Sequence, residues 1–199
     1  FRTGRWGING PVLKLLTDVG IDTDSSIYPL YSNDYFSCEK ANRSPYWPSF
    51  EDTNKAGKQN KIYEIPVTCG FNRSSTFWAQ KFHRLMEQRP FCWFRINGLF
   101  WHTLLLRKIY LSPELCTARD MNRLIDKCLK QKQTVFHMYL HSSSFLEQIT
   151  GLNNELHARE NMCQRIKQVV EHLSQKADIR FCTLSQAKQQ LVSQEKNND

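Results

Sequence analysis

Thr134-Val-Phe-His-Met-Tyr-Leu-His141, followed by Ser142-Ser-Ser-Phe145, is the stretch on which the fold turns. β-Branched and aromatic residues crowd Thr134 to Tyr139, the composition of a buried strand and not of a helix. The strand runs out at His141, where the serine run opens a loop. A histidine at the C-terminal end of a strand in an alternating α/β chain stands where such folds build their sites. The competing reading is a histidine that only hydrogen-bonds its loop. A metal ion shared by His137 and His141 fails on geometry, because four residues along a strand separate their Cα atoms by ~13 Å.

Working outward, helical spacing and stop signals mark the elements. Gly10 starts a helix with Pro11 at its first helical position and Val12, Leu15, Leu16 and Val19 on one face. Gly20 is placed to close it in the left-handed conformation. Ile21 to Ser26 reads as a short strand with a polar tip. Residues 28–60 form a long loop rich in Tyr, Trp, Phe and Pro, and a loop of that length calls for a reason. Its aromatics suit either a sugar-facing lid or a surface loop pinned by its own rings. Ile62 to Thr68 is the next strand, with Pro66 suggesting an edge or a kink.

Ser74-Ser75 caps a helix to about Gln88, and residues 91–111 show no clear stops. Ser112-Pro113-Glu114 reads as a helix start. The helix from about Asp120 to Lys130 buries Met121, Leu124, Ile125 and Cys128 and feeds the His141 strand. A further helix spans about Asn154 to Lys176, with His157 and His172 on its wet side. Ile179 to Cys182 is a last short strand. Thr183-Leu-Ser-Gln186 is a capping box for the final helix. Alternation of this kind predicts an α/β fold, a largely parallel sheet covered by helices. About four strands are too few to close a barrel. Residues 1–192 therefore read as the later part of an α/β barrel, and residues 193–199 as a frayed polar tail.

Composition narrows the classes. The 199 residues suffice for one domain or part of a larger one. No stretch approaches the ~20 apolar residues of a membrane span. Seven cysteines without a Cys-x-x-Cys pair argue against a zinc ribbon and against a complete disulfide framework, and point to a reducing cytoplasm. Lysine and arginine outnumber acids 27 to 19, for a net charge of +8. The basic residues are scattered, so a solvated basic surface is a better reading than a nucleic-acid footprint.

Three polar groups stand at strand ends: Arg2 in Phe-Arg-Thr-Gly-Arg-Trp-Gly7, Asp24 in Asp-Thr-Asp-Ser-Ser26, and His141 after Leu140. With Tyr-Glu-Ile-Pro-Val-Thr68 between them and Phe-Cys-Thr-Leu184 at the close, the chain resembles the C-terminal half of polysaccharide deacetylases. These are the NodB-homology group of carbohydrate esterases. The resemblance implies a distorted (β/α) barrel, a divalent metal such as zinc in the complete protein, and hydrolysis of an N- or O-acetyl group from a sugar or polysaccharide.

It also implies roles. His141 matches the acid that protonates the leaving group, and Arg2 the arginine that pairs with the aspartate base. Asp24 matches the carboxylate that tunes the histidine. Leu140 would receive the acetyl methyl group, and Trp6 and Tyr46 would line the substrate. Histidine suits proton donation because it titrates near neutrality. The family's Asp-Asp and His-x3-His metal motifs have no counterpart here, so the chain alone is expected to bind no metal, to lack activity, and to be unstable or to associate. A non-catalytic glycan-binding barrel is the alternative from another class.

Overall fold

The computed structural model describes residues 1–72, 81, 85, 107–147 and 156–198. Apart from residues 81 and 85, the expected helix over 74–88 lies outside those residues, as does most of 91–111. The chain divides into two compact units. The first comprises Phe1–Thr68, Val135–His137 and Asp178–Asp199, and the second Cys69–Thr134 and Met138–Ala177.

In the first unit a 3₁₀ turn at Gly4–Trp6 precedes helix α1, Gly10–Asp18. The Asn9 side chain accepts the Val12 N–H and caps α1, a contact favoured where the first amides of a helix lack partners. Gly20 takes φ +82°, and its neighbour Ile21 donates to the Leu16 carbonyl at 2.9 Å, closing a Schellman turn. The expected apolar face needs correction. Leu13 and Leu16 are buried, while Leu15 and Val19 are 61% and 65% exposed. The helix is rotated so that Leu13 and Leu16 join Ile8, Ile27 and Ile62 in one core cluster.

Strands β1 (Thr23–Asp24) and β2 (Tyr63–Glu64) pair in parallel, with Thr23 opposite Tyr63 and Asp24 opposite Glu64. The long loop between them is pinned from inside. Tyr46 bridges to Glu64 through paired backbone hydrogen bonds of 3.0 and 2.9 Å, and its ring is buried in the same core. The final helix, labelled α4 in chain order, spans Leu184–Asn198. It opens on the expected capping box, with Gln186 N–H to Thr183 Oγ1 at 3.2 Å and Thr183 N–H to Gln186 Oε1 at 2.9 Å. Residues 193–198 continue this helix, so the tail from Ser193 is helical and not frayed up to that point. Ala187, Leu184 and Leu191 pack on Tyr63 and Ile65.

In the second unit β3 (Cys69–Phe71) pairs antiparallel with β4 (Lys108–Tyr110). Helix α2, Ala118–Lys130, buries Met121, Leu124, Ile125 and Cys128, as its spacing predicts. Thr117 caps it, and Asp120 in its first turn accepts from Arg107 at 2.8 Å. Helix α3, Ala158–Ser174, buries Ala158, Met162 and Val169. His172 is not simply a wet-side residue: its Nε2 lies 2.8 Å from Asp126 on α2.

Two expected strands do not form. Residues 133–141 run extended without joining a ladder, and 179–182 take no regular structure. In the first of these, hydrogen bonds reach the backbone singly, as from Tyr139 N–H to the Leu111 carbonyl at 3.2 Å. β-Branched residues favour an extended path, but a ladder needs a partner strand in register. Among the described residues the strands form two separate pairs and no closed sheet. No helix among them is long and apolar enough to cross a membrane.

The close approach of α1 to the loop gives a stability prediction. A Cβ at Gly10 would overlap the Phe50 carbonyl. Gly10→Ala is expected to destabilise the chain by about 1–3 kcal/mol in denaturant unfolding, the cost of overpacking. An unchanged midpoint would show that the loop yields freely.

Candidate functional site

His141 opens a 3₁₀ turn, Ser142–Phe145, at the end of the extended segment. Its partner comes from the loop between β4 and α2. There, Leu115 and Cys116 N–H groups both fold back on the Ser112 carbonyl, at 3.2 and 3.0 Å, and the turn carries Glu114 inward. The Glu114 side chain is 1% exposed. A buried carboxylate needs donors, and this one has three. Oε1 lies 2.8 Å from His141 Nδ1. Oε2 accepts the His141 backbone N–H at 3.0 Å and the Ser144 hydroxyl at 2.6 Å.

The geometry settles which ring nitrogen carries the proton. A carboxylate accepts, so Nδ1 is the donor and Nε2 is left to act on other groups. The His141 side chain is 58% exposed, so the ring is held at one nitrogen and open to solvent elsewhere. Tyr139 meets it edge-on with ring centroids 6.4 Å apart. This arrangement can pass a proton at Nε2. It is not a nucleophilic serine triad, because the buried Ser144 bonds the carboxylate and not the imidazole.

Glu114 was missed in the sequence because Ser-Pro-Glu reads as a helix start. The helix begins four residues later, at Ala118. The signal available was an acid set between apolar neighbours, Leu111 and Leu115, with the nearest basic residue, Arg119, five positions on.

The other expected site residues fall as follows. Leu140, beside His141, is half-buried in the second unit, whereas Arg2, Trp6, Asp24 and Tyr46 belong to the first. Asp24 accepts the Ser26 hydroxyl at 2.8 Å and the Ser26 N–H at 3.2 Å through its two oxygens. Tyr46 is a core residue whose hydroxyl donates to the Thr53 carbonyl at 2.6 Å, so it presents no face to a ligand. Trp6 stacks on Tyr28 with centroids 4.7 Å apart, and the Arg2 guanidinium lies 4.8 Å from the same ring. Arg5 and Trp6 both take positive φ, +55° and +61°, a strained backbone for side-chain-bearing residues.

Arg2 is held by a second histidine. Its Nε donates to the Ser25 carbonyl at 3.3 Å and hydroxyl at 3.2 Å, and Nη2 lies 2.6 Å from His137 Nε2. Arginine has no acceptor, so His137 Nε2 accepts and its Nδ1–H donates to the Ile65 carbonyl at 3.0 Å. Both ring nitrogens are used and a guanidinium adjoins one of them, which suits neither proton transfer nor a metal cation. Burial, then the Arg2 charge, hold the His137 pKa down to about 4, against the weaker pull of the Ile65 and Pro66 carbonyls.

Among the described residues no group of three or more His, Cys, Asp or Glu side chains is placed to hold a metal ion. Compared with family models, curated proteins and solved structures, the chain finds no match.

The depressed His137 pKa has a pH consequence with a definite sign. The folded state binds this proton less tightly than the unfolded chain, whose histidine titrates near 6.5. The contribution to stability is full above that value and is lost as pH falls toward about 4. In ring NMR titrations His137 should stay neutral, with its proton on Nδ1, from pH 8 to about pH 5. Titration near 6.5 would show that the Arg2 contact is not maintained.

Proposed function

We propose that this chain carries the proton-donating part of a carbohydrate deacetylase, with His141 as general acid and Glu114 as the carboxylate that positions it. The observation that supports the reading is the 2.8 Å contact between His141 Nδ1 and Glu114 Oε1 on a ring that stays open to solvent. Its direction toward acetylated sugars or polysaccharides comes from the resemblance of the Arg2 motif, the Asp-Ser-Ser26 run and Leu140-His141 to polysaccharide deacetylases. The (β/α) barrel of that family belongs to the proposal, and the parallel β1–β2 pair is in keeping with it. The tuning part that the resemblance gives Asp24 falls to Glu114 in this reading.

Deacetylation adds water to the acetyl carbonyl and breaks the bond to the sugar nitrogen or oxygen. An amine leaves poorly until it gains a proton. His141, protonated at Nε2, supplies that proton as the bond breaks, and Glu114 holds the ring through Nδ1 while the charge changes. By the resemblance, Leu140, next in the chain, would receive the acetyl methyl group. The family's divalent metal supplies carbonyl polarisation and an activated water when bound. A cytoplasmic setting is part of the proposal, in keeping with free thiols at Cys38, Cys69, Cys116 and Cys128.

The test compares leaving groups. In the protein as it is naturally made, His141→Ala should lower turnover on an N-acetylated oligosaccharide by ~10²–10⁴. The loss should be much smaller on an activated aryl acetate, whose leaving group needs no proton. Substrate affinity should change little. Equal losses on both substrates, or no deacetylation of acetylated sugars by the unaltered protein, would overturn the reading.

A further inference from the structure

A second carboxylate has been drawn wholly into the first unit. Glu64 on β2 and Asp24 on β1 are both fully buried. The parallel register sets their Cα positions opposite one another, so the two side chains leave the sheet on the same face. Asp24 is satisfied as a carboxylate, since both its oxygens accept from Ser26. Glu64 is not. Its Oε1 accepts the Ile27 N–H at 3.1 Å, but Oε2 is buried without a partner that could donate to it. The carboxylate opposite it in the strand register is that of Asp24.

Two bare carboxylates cannot remain ionised together in such a place, where burial and mutual repulsion both disfavour the charges. A proton on Glu64 Oε2 removes the conflict, because the resulting O–H donates to Asp24 and completes the hydrogen bonding of both residues. We propose that Asp24 and Glu64 share one proton at neutral pH, with Glu64 the protonated member, and that this proton is a structural component locking β1 to β2.

The surroundings agree. Burial first, then the charge of Asp24 and the hydrogen bond with it, push the Glu64 carboxyl well above its usual range. The nearby Phe1 ammonium, which donates to the Thr23 carbonyl at 2.7 Å, works in the opposite direction. Arg2 is directed to Ser25 and His137. From the loop, Tyr46 and Cys38 face the pair, and burial above all pushes the Tyr46 hydroxyl up. Burial likewise pushes the Cys38 thiol up. Neither can neutralise a second carboxylate.

The sign of the pH effect follows from the raised folded value. The stabilisation is full below the unfolded carboxyl range and is lost as pH rises from there toward the folded pKa. Across that window one extra bound proton raises the unfolding equilibrium constant by about tenfold per pH unit. Glu64→Gln supplies a permanent amide donor in place of the acid O–H and removes the titration.

Two measurements test this. In carboxyl-carbon NMR of the unaltered chain at pH 6.5, the assigned Glu64 resonance should have the shift of a protonated acid and Asp24 that of a carboxylate. In denaturant unfolding between pH 5.5 and 7.5, the pH slope of the unaltered chain should exceed that of Glu64→Gln by about one proton. Two ionised carboxylates in the spectrum would overturn the proposal, even if the variant failed to fold. So would equal slopes for the two chains.

Discussion

A carboxylate taken out of water must be given donors, and Glu114 takes all of its assigned donors from the four residues His141 to Ser144. That requirement connects two parts of the second unit that lie 27 residues apart in the chain. The turn after β4 has to place the acid inward, and the extended segment has to end where its backbone N–H, its imidazole and a serine hydroxyl can converge. Removing the acid would leave a buried hydroxyl and a backbone N–H without an acceptor, at a cost of ~1–3 kcal/mol for each unsatisfied group. The same contact fixes the ring and its proton. Fold stability and the proposed chemistry therefore depend on one interaction.

The first unit obeys the same rule with different partners. Asp24 finds Ser26, and Arg2 finds a histidine that accepts. His137 and His141 are four residues apart and alike in sequence, yet their surroundings make them opposites. A guanidinium against one ring holds it neutral with both nitrogens occupied. A carboxylate against the other leaves Nε2 open. Chemical role here follows from the charge of the neighbour and not from residue type.

Local signals in the chain were legible where local chemistry decides. The Gly20 helix stop, the Thr183 to Gln186 capping box and the buried face of α2 each follow from side chains within one or two turns. The strand expected over Thr134 to Tyr139 was not, because propensity supplies an extended path but not a partner. The face of α1 was misjudged for a related reason. Leu15 and Leu16 are equally apolar, and only the position of the loop core selects Leu16. Of the site, His141 stood out by its place before the serine run. Glu114 and the opposition of Asp24 and Glu64 depend on turn geometry and strand register, which pattern and spacing do not encode.

The central claim is that Glu114 holds His141 by Nδ1 and leaves Nε2 to exchange protons. A long-range proton–nitrogen NMR spectrum of the histidine rings, taken with His141 neutral, tests it most directly. The His141 ring should be protonated at Nδ1 with Nε2 bare, the less common form of a free imidazole. A His141 ring carrying its proton on Nε2 would contradict it.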